Sequence, residues 1–208
     1  TIQQVLGYAS GERVTTPADL VRYLRALEAS SKRIKVESIG KSWEGRELVF
    51  AYVGSEANIA RLAEIRAGMQ KLGDPRWTGE AEAKALVADL PAVLCLAYSV
   101  HGNEISPSDA AIAMAYHMVA ARNDPVVDKI RENVLLIIDP IQNPDGRQRW
   151  IGNFVQALGL QPDASPVSAE RDEPWPRGRG NHYLFDLNRD WLTATQPETR
   201  ARIRQLRE

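Results

Sequence analysis

Three short segments carry side chains suited to catalysis or metal binding. His101-Gly102-Asn103-Glu104 sets an imidazole and a carboxylate three residues apart, and that spacing lets both turn toward one point. An imidazole nitrogen and a carboxylate oxygen make a natural donor pair for zinc. The same spacing also arises by chance, as a loop histidine beside a solvated acid. Asp139 to Arg147 contains Asn143-Pro144-Asp145-Gly146. On spacing alone this is turn chemistry, with proline fixing φ and glycine accepting a left-handed backbone. Arg179 to Trp191 contains the short apolar run Leu184 to Leu187 and then Asn188-Arg189. A guanidinium can grip a carboxylate with charge-assisted hydrogen bonds, each worth roughly 1.5–3 kcal/mol. The competing reading is a surface ion pair with Asp186 or Asp190.

The elements that must position these groups follow from periodicity. Thr16-Pro17 opens a helix with Leu20, Tyr23, Leu24 and Leu27 at helical spacing. Ile34 to Gly40 and Glu47 to Val53 alternate as strands, and Gly45 between them fits a hairpin turn. Glu56 to Leu72 reads as one amphipathic helix through Ile59, Leu62, Ile65 and Met69, stopped near Gly73. Ala92 to Tyr98 and Val134 to Ile138 are almost wholly apolar, as fully buried central strands are. Cys95, the single cysteine, lies in the first of them, which predicts a buried thiol and no disulfide framework. Ser106-Pro107-Ser108-Asp109 predicts a capped start for the helix running through Ile112, Ala115, Tyr116 and Val119. Strand, helix and second buried strand make a βαβ unit, hence an α/β fold. From about Gln161 to Gly180 four prolines and no periodicity predict a functional loop or a disordered one.

Composition narrows the function classes. The 208 residues carry 26 Lys and Arg against 27 Asp and Glu, a net charge of -1. That balance argues against a nucleic-acid-binding surface. No apolar run approaches the roughly 18–20 residues of a membrane span.

Taken in order, His101-x-x-Glu104, Asn143-Pro-Asp-Gly146, Asp186-Leu-Asn188-Arg189 and Gln196-Pro197-Glu198-Thr199 resemble the signatures of the zinc metallocarboxypeptidases. The resemblance runs from about Gly40 to the C-terminus. It implies a mixed, largely parallel central sheet flanked by helices. It also implies one Zn2+ ion, with His101 and Glu104 as two of its three ligands. Asp186 is implied as the acid holding the ligand histidine, and Asn188 with Arg189 as the clamp on the substrate's terminal carboxylate. Arg179 is implied as the group polarising the scissile carbonyl, with Arg177, Arg149 and Arg147 as competitors. The implied partner is a peptide or protein C-terminus, and the implied location is secreted or periplasmic. A zinc amidohydrolase acting on N-acyl amino acids or cell-wall peptides is the alternative, as is a catalytically dead binding module.

The family's third histidine ligand and its general base come after the Asn-Arg pair, where this sequence has no histidine. His182 is a stand-in candidate; His117, inside a helix, reads as packing or surface. Glu198 to Leu206 is a helical pattern reaching Glu208 without a stop signal. The expectation is therefore the N-terminal portion of one catalytic domain over residues 1–208, inactive alone.

Overall fold

The computed structural model describes residues 1–207. In chain order it forms α1 (Ile2–Leu6), α2 (Pro17–Ser30), β1 (Ile34–Lys41), β2 (Glu47–Val53), α3 (Glu56–Ala60), α4 (Leu62–Gly73) and α5 (Glu80–Asp89). There follow β3 (Ala92–Ala97), α6 (Ile105–Ala120), α7 (Pro125–Asn133), β4 (Val134–Asp139), α8 (Pro144–Ala157) and α9 (Pro197–Arg207). Glu208, where the sequence pattern carries the last helix, lies outside the described residues.

The strands make one sheet in the order β1-β2-β4-β3. β2 pairs antiparallel with both β1 and β4, and β3 runs parallel to β4 through the α6–α7 crossover. The sheet is mixed and flanked by helices, as expected. Its balance among the described strands is less parallel than expected, because the β1–β2 hairpin brings antiparallel pairing with it. Gly45 makes that hairpin's turn with φ +79, a conformation glycine accepts without a Cβ penalty.

Side-chain alternation builds two cores. Val49, Ala51, Val53, Leu136 and Ile138 pack with α2 and α6 residues such as Leu20, Leu24, Ala111 and Ile112. Leu48, Phe50, Tyr52, Leu135 and Ile137 face the other way, against Leu62, Ile65 and Ala201. Val36 and Ile39, an odd number of residues apart, fall on opposite faces and join the first and second cores, and the register shift between Ser38 and Gly40 sets Gly40 opposite Leu48 of the second core. α9 presses there closely enough that a Cβ on Gly40 would lie 3.2 Å from the Ala201 Cβ.

Four expectations change. β3 is not a buried central strand: among the described residues it pairs on one side only, and Leu94 is 49% exposed. Cys95 is exposed with it, so the predicted buried thiol is corrected. An apolar run states that a strand tolerates burial; it does not state how many neighbours it has. The Glu56–Leu72 helix is two helices, broken at Arg61 (φ -102, ψ 24). There the Arg61 guanidinium reaches across to the Asp89 side chain and carbonyl. α6 starts at Ile105 with Glu104 as N-cap and no side-chain cap bond. The Ser108 hydroxyl instead donates to Ser99 Oγ, and Asp109 bonds Thr15 and Arg147. No helix of the described residues is long and apolar enough to cross a membrane.

Candidate active site

The site lies beyond the carboxyl ends of β3 and β4, where open α/β sheets place ligands. Backbone hydrogen bonds from Gln142 N to Tyr98 O (3.0 Å) and from Asn143 N to Ser99 O (3.2 Å) carry the two strands' alignment into the loops. Ser99 takes φ +47 and its hydroxyl donates to Glu104 O at 2.8 Å, which turns the chain sharply at His101–Glu104.

His101 is buried between two carboxylates. Its Nε2 lies 3.1 Å from Asp186 Oδ1, and its Nδ1 lies 2.8 Å from Glu104 Oε1. Asp186 is fixed in turn by Arg179 Nη2 (2.9 Å) and by the Asn188 backbone N–H (2.9 Å). Burial raises the Asp186 pKa, but the bonds from Arg179, Asn188 and His101 outweigh it and hold the carboxyl below its usual range. With Asp186 taking the Nε2 proton, the Nδ1 lone pair would face the Glu104 carboxylate, with Arg179 Nη1 3.4 Å from the same nitrogen. Two electron-pair donors 2.8 Å apart repel unless a proton or a cation lies between them. The chemistry of this donor pair therefore fits a divalent metal such as zinc. Among the described residues no cluster of three His, Cys, Asp or Glu that could hold a metal is formed.

The structure thus brings His101, Glu104, Asp186 and Arg179 together. Asn188 and Arg189 follow in a 3-10 turn, Leu187–Arg189, capped by Asp186. Both side chains are exposed; the Arg189 guanidinium bonds the Asn188 carbonyl at 3.1 Å. Among the described residues no carboxylate pairs with Arg189. Asp186 is taken by Arg179 and His101, and Asp190 by Thr193, Thr195 and the Gln196 N–H.

Two of the three competing arginines have structural work. Arg147 is fully buried, donating to Thr15 O, Ile105 O and Asp109. Burial lowers its pKa against the opposing pull of Asp109. Arg149 donates to the carbonyls of Arg177, Gly180, Asn181 and His182, shaping the loop that carries Arg179. Arg177 is exposed with φ +60. His182 does not join His101: it bonds Glu44 at 3.1 Å and stands edge-on to Tyr183. His117 is exposed in the last turn of α6.

Asn143-Pro-Asp-Gly is not a free turn but the start of α8. Asn143 Oδ1 accepts from Gly146 N (2.9 Å), Pro144 fills the first turn, and Asn143 Nδ2 donates to Arg179 O (2.9 Å). Asp145 is buried and holds the β1–β2 hairpin through Ser42 and Arg46. The glycines explain how three loops meet. A Cβ on Gly102 would lie 2.2 Å from Arg147 N, and one on Gly146 would lie 2.3 Å from Gly178 O. Only hydrogen fits at either place.

The periodicity reading missed a buried network behind the site. Asn181 accepts from Tyr183 N and Phe185 N and donates to Gln196 and Glu198. Burial pushes the Glu198 carboxyl pKa up, against bonds from Trp43 N and Asn181. Gln196 and Glu198 stand in a motif the sequence offers, but Asn181 is a single polar residue in irregular backbone, which no periodicity could mark. Glu173, inside the aperiodic 161–180 segment, was missed for the same reason and bonds both Asn103 and Gly178.

Comparison with known proteins places this arrangement. The zinc carboxypeptidase family model matches residues 20–206. Mouse carboxypeptidase Z is 24% identical over 181 residues, covering 86% of this chain and 21% of its own length. Carboxypeptidase A from Helicoverpa armigera shares the fold at TM-score 0.54 and 15% identity, over 99% of this chain and 47% of that one. A metallo-carboxypeptidase from Burkholderia cenocepacia does so at 0.55 and 18%, over 91% and 36%. The chain spans about a fifth of the curated relative and under half of these structures. The family match covers most of its length, and the chain belongs to the zinc carboxypeptidase family.

Proposed function

We propose that this chain supplies two zinc ligands and the substrate clamp of a peptidase that removes the C-terminal residue of peptides or proteins. The observation that carries the reading is the His101 ring suspended between Asp186 on Nε2 and Glu104 on Nδ1. Asp186 fixes the tautomer, so Nδ1 and Glu104 are the two atoms offered to the metal. Zinc, when bound, would lower the pKa of its water to about 7 and polarise the substrate carbonyl.

The remaining roles belong to this chain's own groups. The Arg179 side chain is half exposed; it pairs with Asp186, and its Nη1 lies 3.4 Å from His101 Nδ1. Such a pair is worth about 0–1 kcal/mol, so the guanidinium can turn toward a developing oxyanion at little cost. A donor in that place typically contributes about 2.7–4 kcal/mol to the transition state. Arg189, without a carboxylate among the described residues, and Asn188 beside it bind the substrate's terminal carboxylate. Two protein donors alone hold a metal weakly, so catalysis is placed in the full-length protein and not in residues 1–208 by themselves. A secreted or periplasmic location fits the same reading.

The test is Arg189→Ala in the full-length protein. Losing one charge-assisted bond of roughly 1.5–3 kcal/mol raises KM for a free C-terminus about 10- to 150-fold. The amidated analogue should respond far less. Equal effects on both substrates reject the clamp.

A further inference from the structure

In the proposed site Arg179 must meet the carbonyl beside a metal held by a different loop, His101–Glu104, so the distance between the two loops has to be fixed. From its carbonyl side, the Arg179 loop is bound to α8. Asn143 Nδ2 donates to Arg179 O, and Arg149 donates to the carbonyls of Arg177 and Asn181. None of these three bonds reaches the His101–Glu104 loop. The Arg179 side chain touches it, with Nη1 3.4 Å from His101 Nδ1, and so does Glu173. One of its carboxylate oxygens accepts from the Gly178 backbone N–H and the other accepts from Asn103 Nδ2 at 2.9 Å. Asn103 sits between His101 and Glu104 in sequence, and Gly178 precedes Arg179. The loops touch closely enough that a Cβ on Gly178 would lie 2.7 Å from Gly146 O and 3.3 Å from the Asn103 Cβ. That closeness lets a single carboxylate span both.

We propose that Glu173 is a positioning residue that clasps the Arg179 loop to the His101–Glu104 loop and so sets where Arg179 meets the reacting carbonyl. The role in turnover rests on the peptidase reading; the clasp itself does not. Carboxylate acceptors make stronger bonds than neutral ones, and two bonds from one group add a direct tie to the packing that both loops share on α8. Glu173 touches no reacting atom, so its influence must pass through Arg179. A glutamine here has a way to keep both contacts. Its amide oxygen accepts from Gly178 N–H, and its amide nitrogen donates to Asn103 once the Asn103 amide has flipped.

The experiment uses the full-length protein and the variants Glu173→Ala, Glu173→Gln, Arg179→Ala and Glu173→Ala/Arg179→Ala. Amide hydrogen exchange comes first, because it needs no activity. Glu173→Ala should speed exchange at Gly178 about tenfold or more while the unfolding midpoint stays near wild type, and Glu173→Gln should not. Unchanged exchange at Gly178 overturns the clasp, whether or not the protein is a peptidase. Release of the C-terminal residue from an acyl-dipeptide comes second. A misplacement of about 1 Å can cost on the order of 100-fold, so Glu173→Ala should lower kcat about 10- to 100-fold with KM nearly unchanged. Glu173→Gln should recover most of it, and Glu173→Ala should cost nothing further in the Arg179→Ala background. The same loss in both backgrounds overturns action through Arg179. A wild-type protein that hydrolyses nothing rejects the peptidase reading and with it the role in turnover, and the exchange result still decides the clasp.

Discussion

Gly146 and Gly152 both lie in α8, and the structure predicts opposite results from the same substitution. A Cβ on Gly146 would lie 2.3 Å from Gly178 O, 2.5 Å from Gly180 O and 2.7 Å from Asn143 Nδ2. Ordinary contact begins near 3.4 Å, so backbone in the Arg179 loop must retreat by about 1 Å. Inserting a methyl group against backbone costs about 1–3 kcal/mol. Disturbing the Asn143 cap adds up to about 1 kcal/mol. Alanine gives back about 0.5–1 kcal/mol of helix propensity. Gly146→Ala should therefore destabilise by about 1–3 kcal/mol. Gly152 meets nothing within 4 Å, so Gly152→Ala keeps only the gain of about 0.5–1 kcal/mol. Urea unfolding of the two full-length variants should separate them by about 2–4 kcal/mol, since the loop clash is the main difference. Equal stabilities would refute the view that glycines let these three loops meet.

Two further predictions concern the supports of the site. Arg202 pairs with Asp139 in the interior, Nη2 to Oδ1 at 3.1 Å, and also donates to Ile141 O and Glu198 O. Arg202→Met leaves a buried carboxylate unpaired and should cost about 3–5 kcal/mol in urea unfolding; Asp139→Asn/Arg202→Met should recover part of that, and no recovery would contradict the pair. Burial raises the Asp190 pKa, but hydrogen bonds from Thr195 and the Gln196 and Thr195 N–H groups overcome it and lower the value from 3.8 to about 2. A depressed carboxyl stabilises the fold above its unfolded pKa and loses that contribution as pH falls through the folded value. Asp190 therefore supplies about 2 kcal/mol that disappears between about pH 4 and pH 2. An Asp190→Asn variant should show a flatter acid limb in thermal unfolding, and a curve parallel to wild type would contradict the assignment.

The elements legible in the sequence are those whose burial is periodic. α2 with its Thr16 cap, the β1–β2 hairpin and β4 follow from spacing, and the structure has them where the pattern puts them. α8 was hidden because Asn-Pro-Asp-Gly serves equally well as a turn and as an N-cap; Asn143 accepting from Gly146 N decides for the helix. β3 looked central because apolar residues record tolerance of burial, not the presence of a second neighbour. At the site, the order of the motifs singled out His101, Glu104 and Asp186, and the resemblance offered Arg179 beside three competing arginines; the fold brings these four together. Glu173 and Asn181 act through single contacts from irregular backbone. Such contacts depend on the path of the chain, and no local rule encodes that path.

The central claim is that His101 Nδ1 and Glu104 are the two ligands this chain offers to zinc, with Asp186 holding the far side of the ring. Anomalous diffraction at the zinc edge from crystals of the zinc-loaded full-length protein tests it directly. The account predicts one strong peak bonded to His101 Nδ1 and to Glu104, with Asp186 still on Nε2. A peak on Nε2, or one that leaves Glu104 unbound, would contradict it.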